Sequence, residues 1–173
     1  MSLENLLNKQ VAVIGKAEVS SGAGEIAANS PRFRKMDGFS LLAVAAAKLA
    51  LENAGISLPE DAGIVLSTLY GPIHTTEEFL NGILKYGPQL ASAFLFPNTV
   101  MNMAAGMVSM EFGLKGPSVT MVGEIEQALK YAADLIRNGK ATIMLAGYVE
   151  EESEIVEVPK TGSVFYVLEK RNA

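Results

Sequence analysis

The stretch from Gly113 to Leu129 constrains this chain more than any other. Gly116-Pro117 marks a turn, Ser118 to Val122 suits a short strand, and Gly123 leads sharply into a helical pattern. Glu124 and Glu126 fall in the first turn of that helix, where the positive end of the macrodipole favours carboxylates. In many α/β enzymes such an elbow presents a nucleophile, because a side chain there gains both exposure and the field of the helix terminus. Here the elbow offers Val122, Gly123 and Glu124, and none of them is a Ser or Cys. The place for chemistry is present without the usual chemical group.

The rest of the chain supplies alternating elements. Val11–Ile14 is a short apolar run ending at Gly15, the pattern of a strand buried on both faces. Gly15, Gly22 and Gly24 are too widely spaced for a dinucleotide loop, so Ser20–Gly24 reads as a flexible loop. Asp37 caps a helix over Phe39–Ala54 with Gly55 as its stop. That helix is apolar round most of its circumference, which predicts burial between layers. Gly63–Leu69 is the second strand, and Thr75 with Glu78 forms a capping box for a helix reaching Lys85. Pro97 starts a further helix that continues from Asn98 to Phe112. After the elbow, Glu124–Asn138 is an amphipathic helix ended by Gly139. Thr142–Gly147 and Ser163–Leu168 complete five strands. With no linker or repeat in this order, residues 1–173 read as one α/β domain of three layers.

Composition excludes several classes of function. The formal charge of −5 is wrong for a general nucleic-acid binder, which needs a basic face. With no cysteine, disulfides, thiolate catalysis and Cys-ligated metals drop out. The single histidine, His74, has no evident partner acid or nucleophile and reads as a polar residue at a helix start. Neither a metal nor a cofactor is expected. Met1–Gln10 lacks a basic region leading into an apolar one, and no apolar run is long enough to span a bilayer. The expectation is a soluble cytoplasmic protein.

Three side-chain groups remain to be weighed. Arg32, Arg34 and Lys35 form the one basic cluster, either a solvated loop or a contact for an acidic partner. Met101, Met103, Met107 and Met110 read first as core packing and second as the lining of an adaptable acyl pocket. Glu150–Glu154 reads as a solvated acidic loop.

Several motifs resemble one family in a shared order. Phe96–Gly106 and Phe112–Pro117 resemble the N-terminal half of the β-ketoacyl-acyl-carrier-protein synthases. So do Lys35–Ser40, Arg137–Lys140, Ile143–Gly147 and Gly162–Glu169. The resemblance runs from about Val11 to Glu169. It implies one half of a thiolase-like fold: a five-stranded, mostly parallel sheet with helices on both faces and the last strand antiparallel. It would place the Ser118–Val122 strand at one sheet edge and the final hairpin at the other. It also implies a Cys nucleophile at the elbow and two histidines in a C-terminal half. The elbow has no Cys and its segment is a few residues shorter than the family shows, so the fold carries over and the catalytic residues do not.

Three functions follow as expectations. The first is a non-catalytic ketosynthase-like protein that binds or scaffolds partners in fatty-acid or polyketide-type synthesis. The second is an acyltransferase using Glu124 as base or relying on a partner chain for the missing half. A carboxylate at a helix N-terminus tends toward a lowered pKa, which makes a poor base and favours the first. The third is a stand-alone acyl-binding protein. Partners would be an acyl carrier protein or a ketosynthase subunit. The resemblance further implies a homodimer joined through Ser118, Val119, Thr120, Met121 and Val122, a run with no internal charge to discourage pairing.

Overall fold

In a computed structural model, Leu7 and residues 10–171 are described. The reading of Met1–Gln10 lies almost wholly outside them. The elements in order are β1 (Val11–Val19), α1 (Ala23–Ala27), α2 (Gly38–Ala54), β2 (Gly63–Thr68), α3 (Ile73–Tyr86), α4 (Leu95–Asn98), α5 (Asn102–Phe112), β3 (Ser118–Val122), α6 (Ile125–Arg137), β4 (Ile143–Glu150) and β5 (Gly162–Lys170). They form one five-stranded sheet in the order β1-β5-β4-β2-β3. The β4-β2-β3 portion is parallel, and β5 runs antiparallel to both of its neighbours.

Both faces of the sheet are apolar, because successive side chains of the central strands point to opposite sides. Ile64, Leu66, Leu145, Phe165 and Val167 pack on one face against α2 and α5. Val65, Met144, Ala146 and Leu168 pack on the other against Ala128, Leu129, Ala132 and Ile136 of α6. The chain reaches β3 from β2 along the first face and returns across β2 to β4 along the second. Right-handed crossovers in opposite directions require that change of face. Helices therefore cover both sides, as the α/β reading expects.

Close backbone approaches fix the elbow strand. A Cβ on Gly116 would lie 2.0 Å from the Asp61 carbonyl oxygen, and one on Gly63 would lie 2.3 Å from that of Pro117. The Ile64 amide donates to the Pro117 carbonyl at 2.8 Å, which starts the β2–β3 ladder. At Gly147 the missing side chain makes room for the Phe165 ring, which would sit 2.3 Å from a Cβ.

Several expectations need correction. β1 does not end at Gly15 but continues to Val19 past a register shift between Val13 and Gly15. It is half-exposed along much of its length because it, and not the final hairpin, forms the second sheet edge. Gly15 continues the strand because a side chain there would collide with Ala50 and Ala54 of α2. Ser20–Gly24 is not wholly a loop, since Ala23 already begins α1. Thr75 and Glu78 form no capping box; α3 begins two residues earlier behind Pro72, and Thr75 lies within its first turns. The helix expected from Pro97 to Phe112 is broken at Thr99–Met101 into α4 and α5. α2 covers one sheet only, and Leu41, Leu42, Leu49 and Leu51 remain partly exposed on it. Asp37 does cap α2, accepting from the Ser40 amide at 3.0 Å, and Gly55 ends it in the left-handed conformation.

Gly147→Ala should destabilise the fold by about 1–3 kcal/mol, because Phe165 is fully buried and its ring has nowhere to go. Urea unfolding of the variant beside wild type measures this, and equal midpoints would contradict the packing described.

Candidate functional site

The topology selects where a site can form. Because the chain leaves β2 toward one face and β3 toward the other, their carboxyl ends flank a crevice, the usual place for ligands in open α/β sheets. Thr68 and Leu69 end one wall, and Val122 and Gly123 end the other. The Gly123 amide donates to the Thr68 carbonyl at 3.0 Å, which closes the floor.

At the elbow, Val122 is exposed and Glu124 is the N-cap of α6. The Glu124 carboxylate accepts from the backbone of Gln127, and the Gln127 side chain accepts from the Glu124 amide at 2.7 Å. This reciprocal box satisfies two of the orphan donors at the helix start. The carboxylate read as a possible base is thus occupied in ending the backbone ladder.

The acidic run Glu150–Glu154 is solvated only in its second half, where Glu152 and Glu154 are exposed as read; its first two residues correct that reading. Glu150 is fully buried and Glu151 nearly so. Glu150 accepts from the Thr68 hydroxyl at 3.0 Å, from the Leu69 amide, and from the Tyr70 amide at 3.3 Å. Burial raises its carboxyl above the ordinary carboxylate value, and these donors counter part of the rise. Burial, reinforced by the carboxylates of Glu150 and Glu124, also raises the Tyr148 hydroxyl.

Beside it, Glu151 accepts from the Thr75 amide at 3.2 Å, and the Thr75 hydroxyl donates to Asp37 at 2.9 Å. Burial pushes the Glu151 carboxyl up to about 7, with Asp37 and Glu77 adding repulsion. Glu77 accepts from the Ser153 hydroxyl and from the Glu154 amide at 3.1 Å, and the Ser153 bond holds its carboxyl below the ordinary value. Among the described residues, Asp37, Glu77, Glu150 and Glu151 make no ion pair with a Lys or Arg. The same residues contain no group of three or more acidic or histidine side chains placed to hold a metal ion. One signal could have found this network: β4 is apolar up to Val149, so a strand continued in register must bury its next residue.

The other predicted residues are dispersed. Arg32 lies 3.6 Å from Glu111 on α5, while Arg34 and Lys35 are exposed in a turn of 3₁₀ helix. His74 stands in the first turn of α3 and not before it. Met107 is buried and Met103 packs against the same core, whereas Met110 is half-exposed. Ser118–Val122 is the open edge of the sheet, as expected. No helix of the described residues is long and apolar enough to cross a membrane.

Comparison with known proteins agrees with this geometry. The chain is 32% identical over 127 residues to 3-oxoacyl-[acyl-carrier-protein] synthase 2 of Coxiella burnetii, covering 69% of this chain and 31% of that protein. It therefore spans about a third of the length of that relative. A β-ketoacyl synthase from Burkholderia phymatum STM815 superposes with a TM-score of 0.76 at 21% identity, over 95% of this chain and 60% of that one. A ketosynthase in complex with its chain length factor, from Xenorhabdus doucetiae, gives 0.71 at 16% identity, over 95% of this chain and 80% of that one. Residues 11–158 match the family described as Beta-ketoacyl synthase, N-terminal domain, and the chain belongs to that family.

Proposed function

We propose that residues 1–173 act as a single non-catalytic ketosynthase-like unit, which binds or scaffolds partners in fatty-acid or polyketide-type synthesis. The observation that carries this reading is the elbow itself. Its three residues are Val122, Gly123 and Glu124, and the one ionisable group among them is engaged by Gln127 in a capping box. An acyl-transfer site needs a nucleophile there with a base in hydrogen-bond reach. A binding role is in keeping with the relative named for acyl carrier protein and with the ketosynthase that assembles with a chain length factor. Arg34 and Lys35, with Arg32 partly neutralised by Glu111, supply the basic surface such an acidic carrier would meet.

The same reading includes a homodimer formed by β3 against its copy across a two-fold axis. Its support is the open edge, with no charged residue between Ser118 and Val122. The Gly123 amide points inward to Thr68, so by the two-residue period Met121 and Val119 point inward as well. Thr120 and Val122 then aim their amides at the partner.

Two outcomes are expected. The purified chain should neither decarboxylate malonyl-carrier nor condense it with acyl-carrier. Turnover abolished by Glu124→Gln, with folding intact, would instead establish Glu124 as a working base. By light scattering at micromolar concentration, wild type should be a dimer and Thr120→Pro a folded monomer, whereas Val119→Pro should damage the sheet of each subunit. A monomeric wild type would overturn the edge pairing.

A further inference from the structure

Carboxylates clip the start of the segment between β4 and β5 to α3. Glu151, at its start, accepts from Thr75 of α3, and Thr75 in turn donates to Asp37 ahead of α2. Two residues on, the Ser153 hydroxyl donates to Glu77 of α3, and the Glu154 amide donates to the other Glu77 oxygen. Ser153 also accepts from the amides of Ile155 at 3.2 Å and Val156 at 2.8 Å, so the clip propagates along the segment. Beyond it the chain is exposed, with Ile155 among its least covered residues. The two ends of this segment, Glu151–Glu152 and Thr161, line a cleft of about 320 Å³ together with Glu150, Gly38 and Leu41.

We propose that residues 152–161 are a pH-sensitive strap anchored at the rim of this cleft, latched to α3 through Glu151 and Glu77 and released when Glu151 ionises. The charged groups around Glu151 are nearly all of one sign. Asp37 faces it from the start of α2, Glu77 from α3, and Glu150 and Glu152 flank it in the chain. His74, in the first turn of α3, contributes its backbone amide to Glu151, and its imidazole is the titratable group of opposite sign near Glu77. With Glu151 protonated, Asp37 and Glu77 keep their donors without a third buried charge between them. Once Glu151 ionises, the latched form must bury a charge, and repulsion from Asp37 and Glu77 adds to that cost beyond what the Thr75 amide returns. A carboxyl raised to about 7 from 4.5 stabilises the latched form below the lower value, and that contribution is lost as pH rises through the upper one.

Hydrogen exchange of the full chain, read by mass spectrometry on peptides covering 152–161 and the start of α3, tests the latch. Rates are corrected for the intrinsic pH dependence of exchange. Between about pH 6 and about pH 8, protection of the strap in wild type should fall on the order of tenfold. Glu151→Gln keeps an acceptor for the Thr75 amide and cannot ionise, so its protection should stay level across the same range. Ser153→Ala, which leaves Glu151 in place, should expose the strap at both pH values. Equal wild-type protection at the two pH values would overturn the proposal, as would a step that persists in Glu151→Gln or a strap still protected in Ser153→Ala.

Discussion

A buried carboxylate, paired with no Lys or Arg among the described residues, holds the carboxyl ends of the sheet together. Glu150 ends β4, the strand next to β2, and gathers the polar groups at the end of β2 and just past it, the Thr68 hydroxyl and the amides of Leu69 and Tyr70. Left unpaired, each buried amide would cost about 1–3 kcal/mol, and an unpaired buried carboxylate would cost more. Their mutual satisfaction fixes the turn after β2, and that turn sets where α3 begins. Asp37 and Glu151 then join α2 and the post-β4 segment to α3 through Thr75. The crevice at the elbow inherits its shape from this network.

Much of the fold was legible because its signals are local. Strand runs such as Gly63–Leu69, the Asp37 cap and the stop at Gly55 each declare themselves within a few residues; the cap and stop form as read, and the strand ends one residue early, at Thr68. The elbow was legible for the same reason, since a Gly-Pro turn, a short apolar strand and acidic residues lie consecutively. The misses share a different cause. β1 extends past Gly15 because α2 approaches it there, a contact between residues 35 or more positions apart in the chain. Glu150 and Glu151 looked solvated because their donors come from Thr68 to Thr75, far away in sequence. A charge run is usually a surface feature. Here tertiary hydrogen bonding overrides that tendency.

Belonging to the family of β-ketoacyl synthase N-terminal domains accounts for the architecture more completely than for the chemistry. The overall fold is shared with the solved ketosynthase structures, and in this chain the elbow lies between β3 and α6. At the elbow, α6 begins with a Glu124–Gln127 box. A protein that keeps the scaffold and caps the elbow has surfaces left to act with. On the proposed reading these are the open β3 edge and the turn carrying Arg34 and Lys35.

The most direct measurement is a calorimetric titration of the chain with an acyl-loaded acyl carrier protein, in low and in moderate salt. The account predicts a complex that forms in low salt, weakens as salt screens the basic turn, and is lost when Arg32, Arg34 and Lys35 are all replaced by Ala. A chain that ignores the carrier at low salt, or binds it equally well without those three side chains, would contradict it.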